Sequence, residues 1–393
     1  MTAPLFADAL SGALLARLPG PLTVERAEWF AYPSRNRNLQ DQTRLALRLT
    51  DASGAVGGAD FPLWKIPDRE AAQDALTRRL LARDARDLVA IWDELYAAGT
   101  HLHLLALADI ALWDLCGRVA GRPVHALLGT RRRRVPVYVH SPFNLPMDEY
   151  VRIARDSRHE GFHGFKVHPT VSWQEPRTGD PDRDIAICRA VREAVGPDFL
   201  LTLDPYNTYG YSDALRVGRV AEELGYGWYE SPMPETDDWI DRYVRLRAEL
   251  SIPLCAPECA PGSWDVRARW VERGATDIGR IDVYAGGFTP CLRLAAACDA
   301  AGLPLELHTF GEFYHLQLLG AATDRQCRHL ESGTTRRNGV LVAESSPRLG
   351  RISKPGHLTD EPLADADGTV AVPDTPGMGI DLDWPWITSH RTG

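Results

Sequence analysis

From residue 135 onward, short apolar runs alternate with longer helical stretches, and no other feature of this 393-residue chain restricts its fold as strongly. Strands are predicted near 135–139, 164–168, 200–204, 227–231, 253–258, 278–283 and 304–308, with a weaker eighth near 329–331. Between them, helical spacing runs near 146–159, 182–195, 211–225, 237–250, 264–273, 290–301 and 312–322. Repeated βα units require parallel strands joined by crossover helices. Seven or eight units in about 200 residues fit a closed (β/α)8 barrel better than an open doubly wound sheet. Neither a Gly-x-Gly-x-x-Gly after an early strand nor a Walker sequence occurs.

The first hundred residues differ in texture. Val24 to Tyr32 and Arg44 to Thr50 alternate apolar with polar residues, and a turn at Asp51 to Gly54 precedes Ala55 to Gly58, which reads as an antiparallel meander. Arg69 to Ala98 and His101 to Val119 then carry helical spacing, and Gly121-Arg122-Pro123 stops the second helix. The tail from about 333 is rich in Gly, Pro and Asp; Pro373 to Asp383 reads as a final turn and edge strand that packs back on the first domain. The expected division is an α+β capping domain over 1–130, a (β/α) barrel with the catalytic and metal site over 131–335, and a C-terminal segment over 336–393.

Composition narrows the partners. Hydrophobic residues at 44% and charged residues at 25% are those of a folding chain rather than a disordered one. Lys plus Arg total 44 against 53 Asp plus Glu, and a net charge of −9 does not favour nucleic acid. The basic run Arg131 to Arg134 has no interleaved aromatic residues and reads as a solvated linker or a source of inter-domain ion pairs. Seven cysteines without a Cys-x-x-Cys pair point to neither a disulfide framework nor a zinc ribbon, so a reducing cytoplasm is expected. No apolar run approaches about 18 residues and the first twenty residues lack a secretory pattern, so neither membrane insertion nor export is expected.

A barrel of this kind builds its site where strands end. The second predicted strand ends Lys166-Val167-His168, and period two puts Lys166 and His168 on one side. Strands three, four and five end in Asp204, Glu230 and Glu258; six, seven and eight end in Asp282, His308 and Glu331. Singly, each carboxylate reads as a cap or an ion-pair partner. As a set they are one βα unit apart, 26 residues from Asp204 to Glu230 and 28 from Glu230 to Glu258, so they converge. Three buried like charges require a cation, and an all-oxygen donor set with open positions suits Mg²⁺.

Lys166-Val167-His168, Asp204, Trp228-Tyr229-Glu230-Ser231-Pro232, Glu258, Asp282 with Gly286-Gly287, and Leu305-Glu306-Leu307-His308 together resemble the enolase superfamily, specifically its mandelate racemase-like subgroup. The resemblance spans nearly the whole chain and implies a modified (β/α)8 barrel with an N-terminal cap. It implies abstraction of a proton α to a carboxylate, with one Mg²⁺ per site, held by Asp204, Glu230 and Glu258, stabilising an enediolate. Lys166 would neutralise the substrate carboxylate and Glu331 would donate a hydrogen bond to its other oxygen. His168 and His308 are the two candidate bases, with Asp282 the orienting partner of His308. The 21 residues from Gly287 to His308 match the family's histidine position.

Specificity in this superfamily comes from cap loops that close over the barrel mouth, which points to Tyr32 to Asn38 and Phe61 to Lys65. Arg35, Asn36, Arg37 and Asn38 suit a polyhydroxylated anion, and Trp64 would cover it. Three departures stand out: Lys-x-His replaces the common Lys-x-Lys, Asn207 comes one residue later than in the common Asp-x-Asn, and Asp282 lies four residues before Gly286 instead of five. Asn207 is thus a substrate contact whose reach is open, and the Asp282–His308 pair needs a local adjustment of the strand end. The favoured reading is an acid-sugar dehydratase giving a 2-keto-3-deoxy acid. The alternatives are a racemase or epimerase of a 2-hydroxy acid and a non-catalytic barrel. The resemblance also implies a homo-oligomer.

Overall fold

Alternating residues in three hairpin-connected runs build the first layer. The computed structural model describes residues 5–35, 41–170, 178–308, 313–337, 340–345, 358 and 362–392. After a short helix α1 (Ala7–Leu10), strands β1 (Val24–Arg35), β2 (Asp41–Asp51) and β3 (Val56–Pro62) form an antiparallel sheet in that order. Leu45, Leu47 and Leu49 of β2 enter the main core, while Ala46 joins Phe30 and Tyr32 in a second apolar cluster. The side-chain period of two divides these residues between the two faces, and both faces are covered.

Three helices follow: α2 (Arg69–Leu80), α3 (Leu88–Ala97) and α4 (Leu102–Val119). The helical spacing read continuously from 69 to 98 is broken. Ala82 takes a left-handed backbone, and Asp84 Oδ1 accepts from the Leu22 and Arg86 amides, drawing the chain into a 3-10 turn over Ala85–Asp87. Helix α4 is buried almost all round because it lies against the sheet on one side and the barrel on the other. Gly57 permits that approach: a Cβ there would lie 2.4 Å from the Ala111 carbonyl oxygen.

Past α5 (Val124–Leu128), the βα alternation is realised. The units are β4 (Arg134–His140) and α6 (Met147–His159), β5 (Gly164–Val167) and α7 (Pro181–Val195), β6 (Leu200–Leu203) and α8 (Tyr211–Glu223). Next come β7 (Trp228–Glu230) and α9 (Ile240–Glu249), β8 (Leu254–Cys255) and α10 (Trp264–Glu272), β9 (Gly279–Ile281) and α11 (Phe288–Ala300). Strand β10 (Leu305–Leu307), α12 (His315–Ala321) and β11 (Leu330–Ser332) complete the series. The buried residues of α6 are Tyr150, Ile153, Ala154 and Ser157, and those of α8 are Ala214, Val217, Gly218 and Ala221. Both sets follow the i, i+3, i+4, i+7 spacing of a helix with one apolar face on a sheet.

Parallel pairing runs β11-β4-β5-β6-β7-β8, single bridges Cys255–Ile278 and Leu305–Cys327 extend it, and β9 pairs with β10. The last strand therefore meets the first and the ring closes, as the fold class required.

The tail departs from its predicted form. Hairpin β12 (Thr334–Arg337) and β13 (Val340–Ala343) follows the barrel, and β14 (Thr369–Ala371) pairs antiparallel with β4. No strand forms over 373–383. Instead Asp383 accepts from the Trp386 amide at 2.9 Å and starts α13 (Trp384–Ser389), whose Ile387 joins the Phe30–Tyr32–Ala46 cluster. The tail thus touches barrel and cap alike. The arginine run makes ion pairs: Arg132 with Asp324 at 2.6 Å, Arg133 with Asp374, and Arg134 with Asp365 and Asp367. Among the described residues, no helix is long and apolar enough to cross a membrane.

Candidate active site

Strand ends carry the polar groups to one place. Lys166 lies in β5 and His168 one residue past its end, Asp204 follows β6, Glu230 closes β7, Glu258 follows β8, Asp282 follows β9, His308 follows β10 and Glu331 lies in β11. Oxygens of Asp204, Glu230 and Glu258 all lie within 4.8 Å of one another. Burial raises the Glu230 pKa and the Glu258 carboxylate adds to this, against the pull of Arg280 and Lys166. Glu258 Oε2 is buried with no hydrogen-bond partner. An unpartnered carboxylate oxygen in an all-oxygen cluster fits a hard divalent cation.

Two cations stand beside this cluster. Lys166 Nζ is 2.8 Å from Glu331 Oε1, 3.0 Å from Glu230 Oε1 and 3.4 Å from Asp204 Oδ2. Arg280 Nη2 is 2.8 Å from Glu230 Oε1 and 2.5 Å from Glu331 Oε2. Burial opposes the charge on Lys166, but Glu230 and Glu331 outweigh it and raise its pKa. Burial likewise opposes ionisation of Glu331, yet Lys166 and Arg280 hold its pKa well below the usual range. Tyr138 also donates to Glu331 Oε2, at 2.8 Å. The donor role expected of Glu331 therefore does not fit these surroundings: an ionised carboxylate among three donors only accepts.

The histidines are anchored alike. His168 Nδ1 donates to the Ser141 carbonyl at 2.7 Å and its Nε2 is 2.9 Å from Asp204 Oδ2. His308 Nδ1 donates to Asp282 Oδ2 at 3.1 Å and its Nε2 is 3.1 Å from Glu258 Oε1. Carbonyl and carboxylate oxygens only accept, so Nδ1 donates in each ring, and each Nε2 meets a further accepting oxygen, one of the carboxylate cluster. Burial works against a charged His308, but Glu258 and Asp282 raise its pKa. Burial works against a charged Asp282, whose pKa His308 lowers. His140, His168 and Glu331 form a second group within 4.8 Å, but Lys166 and Arg280 already occupy Glu331.

The expected substrate contacts are dispersed. Trp64 is 46% exposed and stacks on Tyr284 with centroids 4.5 Å apart, and the Tyr284 amide donates to Asp282 Oδ1 at 2.7 Å. Asn207 takes a left-handed backbone, its amide donates to the Ser231 carbonyl, and it lines a cavity of about 480 Å³ with Glu235, Trp239 and Cys259. Asn36 and Arg37 lie outside the described residues, as does the Arg35 side chain. Arg280, Tyr138 and Ser141 were not foreseen. Counting back by two from Asp282 to Arg280, and from His140 to Tyr138, exposes the first two.

Comparison with known proteins places this geometry in context. Residues 36–129 match the family model for the mandelate racemase/muconate lactonizing enzyme N-terminal domain, and residues 149–386 match that for the enolase C-terminal domain-like family. The chain is 29% identical over 383 residues to D-galactarolactone cycloisomerase of Agrobacterium fabrum, covering 92% of this chain and 94% of that one. It is 30% identical over 254 residues to L-talarate/galactarate dehydratase of Salmonella typhimurium, covering 62% and 61%. Among solved structures, D-glucarate dehydratase from Agrobacterium tumefaciens, complexed with magnesium, superposes with a TM-score of 0.82 at 30% identity, covering 95% of this chain and 100% of that one.

Proposed function

The chain is an enzyme of the enolase superfamily, within its mandelate racemase/muconate lactonizing enzyme family, and on that premise we propose that it dehydrates an acid sugar to a 2-keto-3-deoxy acid with one Mg²⁺ per site. Asp204, Glu230 and Glu258 would hold the ion. Bound there, Mg²⁺ supplies a Lewis acid for the charge that grows on the substrate carboxylate as the α-proton leaves.

The remaining work belongs to side chains. Lys166, held at rest by Glu331 at 2.8 Å, turns to meet the substrate carboxylate. His308 is the better base of the two imidazoles, because the carboxylate on its Nδ1 stabilises the imidazolium it becomes, whereas His168 Nδ1 meets the neutral Ser141 carbonyl and, at 3.3 Å, His140 Nδ1. The α C–H bond breaks with its proton going to His308 Nε2. The β C–O bond breaks as His168, in its protonated form, gives a proton to the departing hydroxyl and water leaves; the enol then ketonises. Trp64 covers the mouth, and Arg35, Asn36, Arg37 and Asn207 are proposed as contacts to the hydroxylated chain.

One observation carries this reading: two imidazoles with anchored Nδ1 atoms present Nε2 to the two ends of a single three-carboxylate cluster. The same arrangement favours a second reading, proton removal on one face and return on the other, which is racemisation or epimerisation of a 2-hydroxy acid. Purified protein with Mg²⁺ and a library of mono- and diacid sugars in D₂O separates them. A 2-keto acid product supports dehydration, and α-deuterium uptake without it supports the second reading. Neither signal from metal-loaded protein removes both.

The proposal extends to a homo-oligomer, on the family resemblance, and to a reducing cytoplasm, supported by seven cysteines that are all free.

A further inference from the structure

Arg280 has no part in the reaction as set out above, yet its side chain is 0% exposed in the centre of the barrel. It rises from the middle of β9, two residues below Asp282, and bridges carboxylates on two other strands, Glu230 of β7 and Glu331 of β11. Lys166 of β5 bridges the same two carboxylates. Glu230 Oε1 receives both cations, at 3.0 Å from Lys166 and 2.8 Å from Arg280. Glu331 divides its oxygens, Oε1 to Lys166 and Oε2 to Arg280. Four side chains from four strands thus close a ring of alternating charge.

That duplication has a consequence for the lysine. If Lys166 turns toward a substrate carboxylate, it loosens its hold on Glu230 and Glu331, and a buried carboxylate without a cation is strongly unfavourable. Arg280 prevents that. Its guanidinium stays protonated, its Nη2 meets one carboxylate oxygen of each glutamate, and Nη1 donates to the Tyr138 hydroxyl at 3.3 Å, which fixes its orientation.

We propose that Arg280 is a positioning residue: the resident counter-ion that keeps Glu230 and Glu331 in place while Lys166 leaves them for the substrate carboxylate. This rests on the role given to Lys166 above. The charge of Arg280 has a second effect, because a cation touching a metal-ligating carboxylate opposes the metal. Removing Arg280 should therefore tighten metal binding while weakening substrate binding. A side chain that only props up the barrel would weaken both when removed.

The test uses full-length R280M and R280K, with Mg²⁺ alone titrated by calorimetry and steady-state kinetics on the acid that the wild type turns over. Folded R280M is expected to bind Mg²⁺ about tenfold more tightly than the wild type, through loss of the opposing charge. Its KM for the acid is expected to rise by about tenfold or more, because Lys166 stays committed to the two glutamates. R280K keeps the charge but loses the Nη1 contact with Tyr138 and the reach of the guanidinium, so its Mg²⁺ affinity should stay within about twofold of wild type while KM rises about fivefold. Folded R280M that binds Mg²⁺ no more tightly than wild type overturns the proposal. If R280M does not fold, R280K decides: an unchanged KM overturns it and a raised KM at unchanged metal affinity supports it. A wild type that binds no Mg²⁺ or turns over no acid defeats the proposed function instead, a result read on a different protein.

Discussion

His308 and Asp282 meet at 3.1 Å, Nδ1 to Oδ2, while the opposite nitrogen of the same ring lies 3.1 Å from Glu258. The short turn Val283–Ala285 makes the pair possible. Asp282 caps it through Oδ1, which accepts from the Tyr284 amide, and this leaves Oδ2 for the histidine. One carboxylate thus serves as a turn cap and as the orienting partner of an imidazole.

Asp282→Asn should keep the cap and lose the charge that stabilises the imidazolium. We expect kcat to fall by about a hundredfold, at the low end of what general acid–base catalysis supplies. Mg²⁺ affinity, measured by titration, should change little because Asp282 is not in the metal cluster. Near-normal kcat would show that the pair only holds the turn.

His308→Asn should abolish turnover and leave folding and Mg²⁺ binding intact, read by circular dichroism and calorimetry. A variant with near-normal turnover removes His308 from the mechanism.

Glu230→Gln should weaken Mg²⁺ binding and activity together, each by about tenfold or more, since the change removes one of three anionic donors. Activity that survives in excess chelator would defeat the metal assignment itself.

Trp64 stacks on Tyr284 although nearly half of its surface is exposed. Aromatic stacking of this kind contributes about 0.5–1.5 kcal/mol. Trp64→Ala should therefore lower the melting temperature only slightly while raising KM for the acid about fivefold through loss of cover at the mouth. An unchanged KM would detach this loop from substrate binding.

His315 supplies a pH test away from the metal cluster. It is buried, its Nε2 accepts from the Val283 amide at 3.2 Å, and burial pushes its pKa down to about 4. The unfolded chain takes up this proton near the ordinary value of about 6.5, so the stability contribution is complete above that pH and is lost as pH falls toward 4. Between pH 7 and 5 the loss is about 2 kcal/mol. His315→Gln keeps an acceptor for Val283 without the titration. Urea unfolding should show the variant gaining on the wild type by that amount as pH falls, and a constant difference would refute it.

The barrel was readable in the sequence because its strands are brief apolar runs closed by a polar residue and its helices bury one face at regular spacing. Tyr150, Ile153, Ala154 and Ser157 illustrate the second signal, and Phe165-Lys166-Val167-His168 the first. The break between α2 and α3 was not readable. It depends on the Asp84 carboxylate reaching the Leu22 amide, 62 residues away in the chain. Helix α13 was missed because six residues hold too little of a helical period to register, and its support is the cap surface around Phe30 and Tyr32.

The sequence by itself determined which chemical groups stand at which strand ends, because the βα repeat and the two-residue period of a strand are local rules. Only the tertiary structure decided who faces whom. It turned Glu331 from an expected donor into an ionised acceptor, gave Lys166 a second cation as neighbour, and brought Asp282 to His308. Electrostatic pairing depends on separations of a few ångströms between side chains distant in sequence, and barrel closure sets those separations.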